Sequence, residues 1–167
     1  MQCWPLALAS AAAGPQPVAV FPVEFADTSG EPAGAGRSGR IDDATAELDQ
    51  LLEDSGRFRV VDLAPVRDRM LAAGPLHLCD GCWQGLARDA GAEVAAVTVV
   101  HKMSTLIASM HVWLVDVAAG QVIREGAVSL RGDTDEAWQR GIRYLVQNVL
   151  LKEDPGHVSR SSPFPGG

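Results

Sequence analysis

Two cysteines three positions apart stand in the run His77-Leu78-Cys79-Asp80-Gly81-Cys82-Trp83. Thiols at this spacing serve three kinds of chemistry. As a structural disulfide, Cys79 and Cys82 would tie a loop to the start of the helix that follows. As a redox C-x-x-C pair they would exchange electrons, because a helix N-terminus lowers a thiol pKa and favours exchange. With His77 they would supply three ligands of a zinc-type site that has no evident fourth. The structural bond is the preferred reading, since the order of elements lacks the strand-helix setting of a thioredoxin-like site. No metal and no cofactor is expected.

A second polar cluster runs from Arg131 to Arg143. It reads Arg131-Gly132-Asp133-Thr134-Asp135-Glu136-Ala137-Trp138-Gln139-Arg140-Gly141 and continues to Arg143. Asp133 suits the N-cap of a helix, with Glu136 three residues on. Arg140 and Arg143 lie one helical turn apart and, with Arg131, suit a carboxylate-bearing partner, because guanidinium grips carboxylate with two prongs. The competing account is a capped helix start whose arginines neutralise nearby acids. The expected binding surface is Arg131, Asp133, Asp135, Trp138, Arg140 and Arg143.

Two further patterns are weaker. Gly34-Ala35-Gly36-Arg37-Ser38-Gly39 matches G-x-G-x-x-G, with Asp62 where a ribose-binding acid would sit. Several residues separate the preceding strand from the first glycine, whereas a dinucleotide turn is tight, so a mobile loop is preferred. His101, Met103, Met110 and His111 offer copper-type ligands. With Ser104-Thr105 as a two-residue hairpin loop, Met103 faces Leu106 and His101 faces Ala108. His101, Met103 and Met110 then share the core face and His111 lies on the other, which splits the ligands. No G-x-S-x-G, H-E-x-x-H or Walker loop occurs.

These residues need elements to hold them. Val18 to Ala26 reads as a strand and Asp27 to Arg40 as a Gly/Pro/Ser-rich loop. Ile41 to Ser55 has helical spacing, and Gly56 ends it. Phe58 to Leu63 is a strand, and Ala64 to Ala73 and Cys82 to Ala90 are short helices. Val94 to Met103, Leu106 to Val117 and Gln121 to Leu130 form a three-strand meander. The last helix starts at Asp133 and buries Trp138, Ile142, Leu145 and Val149. The order is β-α-β-α-α-β-β-β-α. It predicts one α/β (α+β) domain with a single mixed sheet of about five strands covered by helices.

The chain of 167 residues suits one core, and 47% apolar content is ordinary for a globular domain. Net charge of −7 gives no general attraction to nucleic acid or anionic lipid. No apolar run is long enough to span a bilayer. Residues 1–14 (MQCWPLALASAAAG) read as a signal peptide, although no Lys or Arg precedes the apolar stretch. Its loss would remove Cys3 and leave Cys79 and Cys82, an even pair suited to an oxidising compartment. Residues 15–152 form the expected domain, and 153–167 read as a disordered tail.

The run from Cys79 to Leu151 resembles an uncharacterised family of small exported bacterial proteins, a domain of unknown function. The shared pieces are Cys79 and Cys82, Lys102-Met103-Ser104, the Asp116 to Gly120 turn and the Arg131 to Gly141 run. Its members are often encoded near quinone-dependent periplasmic alcohol dehydrogenases, which implies an accessory role in periplasmic oxidation. More distantly, the element order resembles the amino-terminal domain of the Tol-system propeller protein and related envelope lipoproteins, a group that acts through protein contacts. The expected function is a non-catalytic periplasmic binding or accessory module. Its partner would be another periplasmic protein, and the resemblance points to an alcohol dehydrogenase system. The alternative is a thiol-disulfide redox protein using Cys79 and Cys82. Protein from the native host should start between about Ala11 and Gln16. N-terminal sequencing checks this, and an intact Met1 on a cytoplasmic product would refute export.

Overall fold

A computed structural model describes residues 14–153. The expected leader before Gly14 and the tail beyond Glu153 lie outside the described residues. The apolar stretch near the start makes two strands in place of one, β1 (Gln16–Val20) and β2 (Glu24–Asp27). Both run parallel to β4 (Val94–Lys102), but Val20 faces Ala96 while Glu24 faces Val99. Four residues along one strand therefore oppose three along the other, which is a bulge. Pro22 sits inside it, where a residue without an N–H costs no ladder bond. Beside β1 lies β3 (Phe58–Val60), also parallel. β5 (Ile107–Asp116) and β6 (Gln121–Arg131) complete the sheet as antiparallel neighbours. The order across it is β3-β1-β4-β5-β6, with β2 continuing the β1 position against β4. The split strand makes the sheet six-stranded.

Four helices cover this mixed sheet: α1 (Arg37–Asp54), α2 (Arg67–Ala73), α3 (Cys82–Asp89) and α4 (Asp135–Leu145). One face carries Val18, Val20, Ala96, Met110 and Leu114, packed with Leu48 and Leu52 of α1 and Trp138 and Ile142 of α4. The other carries Ala19, Phe21, Ala95 and Val97, packed with Trp83 and Leu86 of α3 and with Leu76. α1 starts at Arg37, earlier than its apolar periodicity suggests, because Gly36 at φ 80° turns the chain directly into it. α4 continues as π-helix over Val146–Leu150. It approaches the sheet closely because two crossing points are glycines. A Cβ on Gly141 would meet Leu130 Cδ2 at 2.7 Å, and one on Gly126 would meet Val149 Cγ1 at 2.7 Å.

The β4–β5 connection corrects one expectation. Lys102 pairs with Ala108, so five residues, Met103 to Ile107, lie between the last paired positions. The N–H groups of Met103 and Ser104 both donate to the Ile107 carbonyl, at 3.0 and 3.1 Å. A shift of one residue moves every side chain to the opposite face. His101 now pairs with Ser109 and Val99 with His111, which puts both histidines on one face. Met110 is fully buried on the other, and Met103 is 44% exposed at the tip.

One carboxylate in α1 is poorly accommodated. Asp49 has a buried Oδ1 with no hydrogen-bond partner among the described residues. Burial, with the Glu53 charge adding to it, pushes its pKa up from 3.8 to about 6. The folded chain thus holds this proton more tightly than the unfolded chain. Its contribution to stability is full below 3.8 and is lost as pH rises through about 6. Asp49→Asn should raise stability by about 1–2 kcal/mol at pH 7, after discounting for residual solvent, and by little at pH 4. Urea unfolding at the two pH values checks this. A gain equal at both would show that Asp49 is ionised throughout.

Candidate functional site

Arg40, in the first turn of α1, reaches the start of α4. Its Nη1 donates to Asp133 Oδ1 at 2.7 Å and its Nε to Asp135 Oδ1 at 2.6 Å. The same Asp133 oxygen accepts Trp138 Nε1–H at 2.9 Å. Asp133 is therefore not the N-cap. Thr134 takes that role, its Oγ1 accepting from the Ala137 N–H at 3.2 Å. The hydroxyl is one residue closer to the helix, which leaves the Asp133 carboxylate free to bridge Arg40 and the buried indole. Trp138 stacks on Phe25 of β2, ring centres 5.7 Å apart. Arg37 lies over the Phe25 ring, 4.3 Å from its centre, and bonds Asp27 at 3.2 Å.

The segment between β2 and α1 is pinned rather than loose. Asp27 Oδ1 accepts from the backbone N–H of Ser29 at 3.0 Å. Those Ser29 hydrogen bonds hold the Asp27 carboxyl below the usual carboxylate range. Glu31 meets Lys102 Nζ at 2.8 Å and accepts the Thr105 N–H at 3.0 Å. Their hydrogen bond lowers the Glu31 pKa and raises that of Lys102. Thr28 Oγ1 lies 2.7 Å from His101 Nε2. The glycines of the G-x-G-x-x-G pattern thus open a helix whose first turn is occupied with acids of this chain.

The six expected surface residues separate. Asp133 is half-buried and Trp138 buried, both turned to the interior network. Asp135 is held by Arg40, and Arg143 Nε donates to Glu47 of α1 at 2.6 Å. Arg131 and Arg140 are on the open surface. Arg131 pairs with Ile107 across β5 and β6, and the Gly132 N–H donates to the Leu106 carbonyl at 3.2 Å. The hairpin tip beside Arg131 exposes Leu106 by 77% and Ile107 by 55%.

A family model, DUF3280, described as "Protein of unknown function (DUF2380)", matches residues 16–150. The chain belongs to this family. No curated protein sequence matches it. Among solved structures it is similar to the LpoB C-terminal domain from Salmonella enterica, with 19% identity and a TM-score of 0.52. The match covers 74% of this chain and 87% of that one. The LpoB C-terminal domain from Escherichia coli gives 17% identity and a TM-score of 0.51, covering 73% and 87%. Lipoprotein GNA1162 from Neisseria meningitidis gives 20% identity and a TM-score of 0.50, covering 72% and 84%. At these identities the likeness is one of fold. Of the two likenesses expected from the element order, the Tol propeller domain and related envelope lipoproteins, these fold relatives are LpoB-like lipoproteins and not a Tol propeller domain.

In this DUF3280 chain Cys79 and Cys82 are joined, Cα atoms 5.7 Å apart, and both pack against the core under α3. His77 is not aimed at them as a third ligand, since its Nδ1 meets the Glu24 carboxylate of β2. Sequence reading missed Phe25, Glu31 and Arg40, and it named Lys102 only within the family's lysine-serine hairpin. Arg37 and Arg40, three apart at the end of the glycine pattern, were the one available signal. Arg40→Ala would strand Asp133 beside a buried indole. It should cost about 2 kcal/mol, whereas Arg140→Ala should stay below about 1 kcal/mol. Thermal unfolding of the two variants checks this, and equal losses would refute the clamp.

Proposed function

We propose that this DUF3280 protein is a non-catalytic, exported binding module that works through protein contacts. The observation that carries this is the hairpin tip. Met103, Leu106 and Ile107 expose apolar surface there beside Arg131, and nothing within the described residues covers them. Exposed apolar side chains gathered next to an arginine suit a protein partner, since aromatic, Met and Arg groups are favoured at interface centres. The polar groups that might have done chemistry are instead bonded to one another, as Arg40 with Asp133 and Lys102 with Glu31 show.

An exported setting is supported by the leader-like residues 1–14 and by the Cys79–Cys82 bond, which an oxidising compartment preserves. No helix among the described residues is long and apolar enough to cross a membrane. The family resemblance makes a quinone-dependent alcohol dehydrogenase system the first partner to test. The thiol-disulfide reading gains no support from the surroundings of the pair.

A photo-crosslinking amino acid at Leu106, expressed in the native host, should trap one dominant partner. Ile107→Asp with Arg131→Ala should reduce that adduct at least about tenfold. Both side chains are exposed, so the thermal midpoint should move by no more than about 2 °C. A dehydrogenase subunit in the adduct would support the finer reading. An adduct of unchanged yield in the double variant, or none in wild type, would refute this surface.

A further inference from the structure

A cleft of about 470 Å³ opens beside β2. Its lining includes Phe25 of β2, Arg37 and Ile41 of α1, Met70 and Leu71 of α2, and His77. β1 has β3 as its outer neighbour, but β3 ends opposite Val18, and β2 pairs with β4 alone among the described strands. The outer edge of β2 is therefore open.

The backbone along that edge has a defined direction. The Thr28 N–H donates to the Lys102 carbonyl at 2.9 Å, so alternation turns the backbone of Ala26 and Glu24 toward β4. Val23 and Phe25 face outward. The Val23 N–H accordingly bonds the Thr45 hydroxyl of α1 at 2.9 Å. The Phe25 N–H and carbonyl face the cleft side, and no described strand lies beside them. A donor and an acceptor on one residue at an apolar cleft are what an extended chain satisfies.

Charge narrows the occupant. Arg37 is paired with Asp27, and the Glu24 carboxylate meets the His77 ring and accepts the His77 N–H at 2.9 Å. Among the described residues the cleft shows neither a free cation nor a free acid, while the whole chain carries −7. An anion is repelled and a cation finds no counter-charge, so an uncharged segment fits best. A small apolar molecule would fill the walls but leave the Phe25 pair unmet. We propose that the cleft takes an uncharged, extended apolar peptide segment of a partner protein, added to β2 as a strand and hydrogen-bonded to the Phe25 backbone. Alternate side chains of that strand would then meet Ile41 and Met70, as strand periodicity requires.

The test is a random peptide library displayed against the full chain, counter-selected on Leu71→Glu. Leu71 is 72% exposed, so this variant keeps the fold while placing a charge at the cleft. Uncharged sequences should be enriched, and the best, made as an acetylated amide, should bind Leu71→Glu at least about tenfold more weakly. N-methylation at alternate positions should weaken binding about tenfold at one parity and hardly at the other. The Phe25 amide resonance should shift on binding. The double variant Ile107→Asp with Arg131→Ala should bind the peptide as wild type does, which separates this site from the hairpin surface. The inference is overturned by enrichment that Leu71→Glu shares, by indifference to N-methylation, or by a neutral dye (Nile red) entering the cleft while no peptide does.

Discussion

The break at Phe21-Pro22-Val23 is the constraint on which both halves of this molecule depend. β1 alone would carry its alternation forward and send Val20, Pro22 and Glu24 to one face. The extra residue reverses that phase, so Val23 and Phe25 join Val18 and Val20 on the face under α1 and α4. Glu24 is sent to the other face, where it receives the N–H of His77. The price is one lost ladder position, at a residue that has no N–H to donate. Without it Phe25 would not meet Trp138, and Glu24 would not anchor the turn before Cys79.

From Phe25 outward, the chain is held together by charges that find partners inside it. Trp138 brings an indole N–H into the core, and a buried donor needs an acceptor. Asp133 supplies one, and a buried carboxylate in turn needs a cation, which Arg40 supplies from a helix more than ninety residues earlier. Individually, exposed pairs such as Arg69–Asp89 contribute little. The Arg40 pair differs because its side chain is 16% exposed and also satisfies the acid that caps an indole. Lys102 with Glu31 does similar work at the end of β4, tying the long segment before α1 to the hairpin. A segment rich in glycine and proline becomes ordered because its acids are hydrogen-bonded at both ends.

This arrangement engages Arg40, Asp133 and Asp135 with one another at the start of α4. Arg131, Arg140, the hairpin tip and the edge of β2 that no described strand pairs remain open. An LpoB-like fold offers the same sheet and helix layers to many uses, so function lies in these local surfaces rather than in the architecture.

The sequence by itself determined the class of fold, most of the elements and the core stripe of α4. Those depend on short-range periodicity: Trp138, Ile142 and Leu145 at helical spacing, and Val94 to Val100 as a continuous β-branched and small-residue run. It also pointed to the Cys79–Cys82 bond, since three positions of separation bring two thiols within reach whatever the rest of the chain does. The tertiary structure alone decided the phase of β2, the register of the hairpin and the fate of the polar cluster. Phase and register each turn on a single residue, and periodicity read within one strand cannot count residues against a partner strand. The fate of Asp133 turns on Arg40, which is distant in sequence and leaves no local mark on the helix start. Arg131 and Arg140 stayed on the surface because no described segment folds back to meet them, and only packing could show that.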